Sequence, residues 1–388
     1  MSEASKLTVK VAYMGIVLFG IISLAGDLIY EGARSIIPQY LNYLGAPAIA
    51  FGVVIGLGEF IGYGLRLVSG FLVDKLRSYW AFTMLGYLLL AAIPLLAITG
   101  NWQLALLLIL IERLAKAIRS PARDTLLSHI SKSVGAGKAF GLHELMDQIG
   151  AVGGPAIATA ALYLTGGAFS KAFTALSAPY ILLVAALLLA YRKLKPYTID
   201  LRREPTSHST ISALPSKFWF YLAAVLINTA GLIHISLILF RASPIAAPWV
   251  LSTLYLIVQG VDAVAAPIAG LAYDNYGRKV LLIPFALSIL PAIFTFIGGF
   301  SSIIIAALIF GIILGMQESI YRAAVAELSA IEYRGLAYGT FYIAYGLGFV
   351  VSGAVYGYFI NLQLTPPIVA YALITQIIAV ILLLKAVH

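Results

Sequence analysis

Residues 270–279 read Gly-Leu-Ala-Tyr-Asp-Asn-Tyr-Gly-Arg-Lys, and residues 70–78 read Gly-Phe-Leu-Val-Asp-Lys-Leu-Arg-Ser. Each stretch closes one long apolar run and opens another. Their shared Gly-x-x-x-Asp, Gly70/Asp74 and Gly270/Asp274, recurs at an offset of 200. Two further landmarks nearly keep it: Arg123 aligns with Arg322 at 199, and Ala139-Phe-Gly141 with Ala337-Tyr-Gly339 at 198. A near-constant offset across three landmarks identifies a duplicated unit.

The 388 residues are 61% hydrophobic and only 11% charged, with a mean hydropathy of +0.98. Soluble domains carry about a quarter charged residues, so a soluble globular protein and a disordered chain are both excluded. Cysteine is absent, which removes disulfides, thiolate nucleophiles and thiolate metal sites. A helix needs about 20 apolar residues to cross a bilayer, so twelve would take roughly 240 and leave short loops. The apolar runs predict spans over 11–42, 46–73, 79–99, 102–127, 138–165, 170–193, 217–240, 246–273, 279–299, 301–329, 333–361 and 365–386. Runs such as Leu104 to Ile111 are continuously apolar, whereas barrel strands alternate. The fold class is all-α integral membrane, with twelve transmembrane helices.

The net charge of +9 sits in loops rather than on one basic face, so it reports orientation and not a nucleic-acid partner. With the N-terminus inside, only Lys171 and Arg241 fall in external loops. Lys6, Lys10, Lys75, Arg77, Arg123, Lys132, Lys138, Arg192, Lys193, Lys195, Arg202, Arg203, Lys217, Arg278, Lys279, Arg334 and Lys385 then fall inside. That asymmetry predicts a multi-pass protein of the cell membrane, inner or plasma, with both termini cytoplasmic. Trp80, Trp102, Trp219 and Trp249 near span starts fit interface depth. The polar, basic stretch from Lys195 to Ser216 contains Pro196, Pro205 and Pro215. It predicts an N-terminal six-helix bundle over 1–194, a cytoplasmic loop over 195–216 and a C-terminal bundle over 217–388.

In the repeated loops, glycine lets helices approach and supplies a positive φ, while aspartate caps a helix or meets a basic loop. These landmarks resemble the major facilitator superfamily, and the resemblance covers essentially the whole chain. The superfamily's Gly-x-x-x-Asp-x-x-Gly-Arg-Lys loop is intact at Gly270, Asp274, Gly277, Arg278 and Lys279. In the first copy Gly70 and Asp74 stand, but Arg77 takes the second glycine's place and Ser78 the arginine's. The resemblance implies two pseudo-symmetric six-helix bundles, alternating access, and a cytoplasmic gate at these loops. Arg119, Pro121, Arg123 and Asp124 at one end look like gate contacts, as do Arg322, Glu327, Glu332, Arg334 and Gly335 at the other. Gly150-Ala-Val-Gly-Gly154-Pro155 in the fifth span is similar to the Gly-x-x-x-Gly-Pro motif of antiporters, with Ala158 and Thr159 replacing later glycines. The same spacing also serves plain helix packing. Arg113 resembles the membrane arginine of drug–proton antiporters, with Ala117 where a glycine usually follows.

Ionisable groups at bilayer depth cost several kcal/mol unless paired or hydrated, which makes each a functional candidate. Asp27, Glu31 and Arg34 fall on one helix face, and Glu59, Tyr63 and Arg66 repeat their spacing. The fourth span adds Glu112, Arg113 and Lys116, and the fifth His143, Glu144 and Asp147. The second half offers His234, Gln259, Asp262, Gln317, Glu318 and Arg322, with Tyr338, Tyr342 and Tyr345. This distribution predicts proton carriers at Asp27, Glu31 and Glu59, tuned by Arg34 and Arg66. Glu112, Arg113, Glu144 and Asp147 are further cavity charges. Tyr30, Tyr63 and the second-half residues are candidates for a substrate wall. The competing readings are static salt bridges between helices and tyrosines that merely pack.

His143-Glu144-Leu-Met-Asp147 imitates the His-Glu-x-x-His zinc helix but lacks its second histidine and any companion cluster, so no metal site and no enzyme is predicted. No Gly-x-x-x-x-Gly-Lys-Ser/Thr loop is present, so an ion or substrate gradient must supply the energy, with no cofactor. The expected function is proton-coupled efflux, by antiport, of a small amphipathic organic molecule. The alternative is a proton symporter or uniporter importing a sugar, organic acid or amino acid. From another class, a non-transporting membrane receptor or assembly partner stays open. Expected partners are the small-molecule substrate, membrane lipid and protons, with no nucleic acid and no obligate protein partner.

Overall fold

The computed structural model describes residues 9–131, 134, 136–198, 214–330, 333–363 and 365–387, without the side chains of 136–138 and 140. Lys6, Lys132, Arg202, Arg203 and Glu332, the Lys138 side chain and most of the 195–216 loop lie outside the described residues. Among the described residues the helical segments group into twelve successive helices, with no strand. They are α1 (Val9–Tyr43), α2 (Ala48–Leu76), α3 (Tyr79–Ile98), α4 (Trp102–Ile130), α5 (Ala136–Leu164) and α6 (Phe169–Tyr197). The second six are α7 (Ser216–Ala242), α8 (Pro248–Tyr276), α9 (Gly277–Leu281, Leu282–Leu287 and Leu290–Ile297), α10 (Phe300–Glu327), α11 (Arg334–Asn361) and α12 (Thr365–Val387).

Nine stretches among the described residues are long and apolar enough to cross a membrane, one of them, Pro248–Ile297, holding both α8 and α9. The other two helices are α4, rich in charge, and α5, rich in glycine. Chain chemistry sets the ends. After α1, Gly45 adopts φ 76 and Ala46 donates back to Leu41 O at 2.9 Å, a left-handed glycine cap. Pro94, Pro284 and Pro291 each remove a backbone donor within α3 and α9, and both helices are broken: α3 by a 3-10 turn at Leu89–Ala91, α9 by a turn at residues 288–289.

Contacts divide the chain into two compact units. One comprises residues 1–34, 65–99 and 107–207; the other comprises 35–64, 100–106 and 208–388. In the first unit, Gly70 on α2 faces the Pro121 ring of α4 at 3.6 Å from a built Cβ, and the Ser69 hydroxyl donates to Ala117 O at 2.6 Å. In the second, Gly270 on α8 faces the Ser319 hydroxyl of α10 at 3.2 Å. The repeated glycine therefore makes the same kind of crossing twice, once within each unit.

The turn that follows is also repeated. Gly277 has φ 64, and Arg77, which stands in the corresponding place, has φ 52. The backbone geometry persists where its glycine is lost. A side chain in the left-handed region costs about 1–2 kcal/mol, partly offset by the unfolded-state entropy that glycine would add. Arg77→Gly is accordingly expected to stabilise the protein by about 0.5–1 kcal/mol, read as a higher thermal midpoint in detergent. A lower midpoint would mean that the exposed arginine contributes more than its backbone conformation costs.

Candidate functional site

One polar cluster lies in each unit. In the first, α1 presents Asp27, Tyr30, Glu31 and Arg34 at helical spacing, and all but Arg34 are buried. Arg34 pairs with Glu31 and stands 3.9 Å from Glu112 on α4, whose other oxygen lies 3.4 Å from Arg113. Asp27 meets the Tyr30 hydroxyl and feels the charges of Asp147 on α5 and Lys116 on α4. Lys116 in turn feels Arg34 and Arg66. His143 lies 3.7 Å from Asp147 and 3.3 Å from the Ser23 hydroxyl. The structure thus gathers Asp27, Tyr30, Glu31, Arg34, Arg66, Glu112, Arg113 and Asp147. Glu144 is exposed and stays outside the cluster.

Small residues make this gathering possible. A Cβ on Gly150 would stand 2.6 Å from the Asp27 Cβ, and one on Gly154 would stand 2.5 Å from Leu28 O. The Gly150–Pro155 stretch therefore seats α5 against the α1 face that carries Asp27. Arg123, read as a gate contact, donates to the Ser23 hydroxyl at 3.2 Å and pairs with Asp124 at 2.8 Å. Arg119, likewise read as a gate contact, is only 3% exposed, with the Tyr30 and Tyr87 rings beside it.

In the second unit, Glu59 on α2 lies 3.9 Å from His234 on α7. Tyr63 stacks on Tyr342 at 5.4 Å and meets Tyr345 edge-on at 5.5 Å. Tyr345 donates to Gln317 Oε1 at 3.0 Å, and Tyr338 to Arg322 O at 3.1 Å. Gln259 and Asp262 are buried on α8. Gln317 and Glu318 occupy a π-helical turn, Gln317–Tyr321, in α10; such turns often mark functional positions. Arg322 is exposed. Of the loop residues, Arg278 pairs with Glu327 at 3.0 Å and donates to Ala386 O at 3.0 Å, tying the start of α9 to α10 and α12. Asp274, Lys279 and Arg334 are exposed, and Asp74 accepts from the Tyr79 hydroxyl at 3.3 Å.

A further feature escaped the sequence reading. The span over 217–240 is not one helix: α7 stops at Gly231 and resumes at Ile235, with His234 as the cap, its Nδ1 accepting from Ser236 N–H at 3.2 Å. Hydroxyls from later helices take three of the carbonyls freed by the break. Tyr371 donates to Ala230 O at 2.8 Å, Tyr356 to Gly231 O at 2.6 Å, and Ser352 to Leu232 O at 2.5 Å. One turn earlier, Asn228 donates to Gln376 Oε1 at 2.7 Å and accepts from Tyr321 at 2.8 Å. Polar residues in otherwise apolar spans, Asn228 and Gln376 above all, were the signal available.

Comparison with known proteins agrees with this architecture. A profile of the Major Facilitator Superfamily matches residues 19–241. An uncharacterised protein of Mycobacterium tuberculosis is 37% identical over 361 residues, covering 91% of this chain and 88% of that one. An uncharacterised MFS-type transporter of Methanocaldococcus jannaschii is 26% identical over 359 residues, covering 88% and 87%. Among solved structures, a variant of the nucleoside transporter NupG superposes with TM-score 0.73 at 16% identity, over 96% of this chain and 98% of that one. A peptide transporter POT variant gives 0.72 at 12% identity, over 96% and 94%. At such identities these likenesses speak for the fold alone. The family match goes further: the chain belongs to the major facilitator superfamily, and is a membrane transporter rather than an enzyme.

Proposed function

We propose that this transporter is driven by protons and moves a small organic molecule by alternating access, with both termini in the cytoplasm. The observation that carries the proton coupling is the first-unit cluster. Its carboxylates are shared among three helices: Asp27 and Glu31 on α1, Glu112 on α4 and Asp147 on α5. A buried carboxylate whose counter-ions stand on a neighbouring helix exchanges a proton when that helix shifts. Export by exchange is supported by the likeness of Gly150–Pro155 to antiporters. The packing role of that stretch suits either direction. A second reading, import with a proton, is favoured by the cations of the cluster, which suit a polar cargo.

Reconstituted vesicles containing an interior pH dye test both. Pools of candidate substrates are expected to provoke proton flux that Asp27→Asn reduces to background. The sign of the flux separates exchange from symport. Labelled substrate that crosses without any proton flux would remove the proton drive.

A further inference from the structure

Three cationic heads stand around a single ring in the first unit. The Arg34 guanidinium lies 4.7 Å from the centre of Tyr30, the Lys116 ammonium 4.8 Å and the Arg119 guanidinium 5.4 Å. Like charges held this close repel one another, and burial deprives them of the water that would screen them. Carboxylates answer only part of that charge. Glu31 pairs with Arg34, Glu112 stands between Arg34 and Arg113, Asp147 lies by His143, and Asp27 meets the Tyr30 hydroxyl, so Lys116 feels Asp27 and Glu31 only at longer range. Among the described residues, Lys116 has no carboxylate within ion-pair distance. Arg119 is 3% exposed, and its Nε and one Nη have no hydrogen-bond partner.

We propose that Lys116 and Arg34, backed by Arg119 across the Tyr30 ring, form an anion-binding subsite, and that the cargo carries a carboxylate or phosphate that docks there. The inference rests on the transport reading above and adds the substrate class. Lys116 is half-buried, and the Arg34 side chain is 16% exposed, so both remain within a ligand's reach. Arg119 lies too deep for contact, at 5.0 Å from the Tyr87 ring on its other flank. Its part is to hold Tyr30 and to add positive potential. Ammonium and guanidinium groups bind carboxylate and phosphate oxygens through charge-assisted hydrogen bonds. The tyrosine face keeps the cations in place without neutralising them.

Thermal unfolding of the full-length protein in detergent tests the subsite. The probes are a pool of succinate, citrate, lactate and inorganic phosphate, and a matched neutral pool of succinamide, lactamide and glycerol. The anionic pool is expected to raise the unfolding midpoint and the neutral pool to leave it unchanged. Lys116→Gln is expected to weaken the apparent affinity by about tenfold or more, the loss of one charge-assisted hydrogen bond. Lys116→Arg is expected to retain most of it, which guards against a variant that simply misfolds. The proposal is overturned if the anionic pool produces no shift, if only the neutral pool does, or if the anionic response survives in Lys116→Gln. Because binding is read without a gradient, it stands apart from the proton-flux experiment. Anion binding without proton flux would fail the coupling and keep the subsite, and proton flux driven only by neutral cargo would do the reverse.

Discussion

Arg34→Ala is expected to destabilise the protein by about 3–5 kcal/mol, the penalty for leaving a buried charge without its partner. Glu31 and Glu112 are 6% and 2% exposed, and both lean on this one guanidinium. Glu112 keeps Arg113 at 3.4 Å, so Glu31 bears most of the loss. With a domain's whole stability near 5–15 kcal/mol, such a variant would fold poorly or not at all. Three variants compared by thermal unfolding decide the matter. Arg34→Lys should lose less, because the charge stays although the forked geometry goes. Arg34→Ala combined with Glu31→Gln should recover much of the stability, since the carboxylate that lost the guanidinium is then neutral. If Arg34→Ala unfolds no sooner than Arg34→Lys, water satisfies Glu31 and the pair contributes little.

The sequence carried the helices and the duplication because both are written in local pattern. Hydropathy marks a span wherever it folds, and the offset between Gly70 and Gly270 survives as two similar crossings, onto Pro121 and onto Ser319. The cluster on α1, α4 and α5 was legible for the same reason, since intramembrane charge is too costly to be incidental. Glu144 stands apart from that cluster. His143 and Asp147 are one helical turn apart and share a face, while Glu144 points about 100° away, and the structure leaves it exposed. The break in α7 was different in kind. No proline lies within Ser216–Gly231 or Ile235–Ala242, and the hydroxyls that make the break tolerable come from α11 and α12, more than a hundred residues later. A reading along the chain cannot see a partner that arrives only by folding. The same holds for glycines that meet glycines, as α2 and α11 show.

Gly353→Val is expected to part those two helices. A Cβ on Gly353 would run into Gly52 O, and one on Gly52 into Gly353 O. Gly357 meets Ala48 O at 2.6 Å from its built Cβ, and Gly56 meets Val350 Cα at 2.6 Å. These contacts are with backbone, which cannot rotate aside as a side chain would. Paired glycines four residues apart on each helix therefore set the crossing distance. The ends are fastened as well: Ala48 N–H donates to Asn361 Oδ1 at 2.8 Å, Phe51 stacks on Phe240 at 4.8 Å, and Ser252 donates to Ser35 at 2.8 Å. Forcing extra volume into so close a contact costs about 1–3 kcal/mol, enough to raise local opening roughly 5- to 150-fold. Because the chain contains no cysteine, a lone Ser252→Cys reports that opening: Ser252 is 0% exposed and should resist a water-soluble maleimide. Adding Gly353→Val should speed its labelling by about the factor above, whereas Val351→Ala, at an exposed position on the same helix, should not. An alternating-access carrier would have to make and break this contact in every cycle, so the same valine should slow transport more than it weakens substrate binding. Unchanged labelling would show that α2 and α11 have slack between them, and that the glycine pairs do not set their approach.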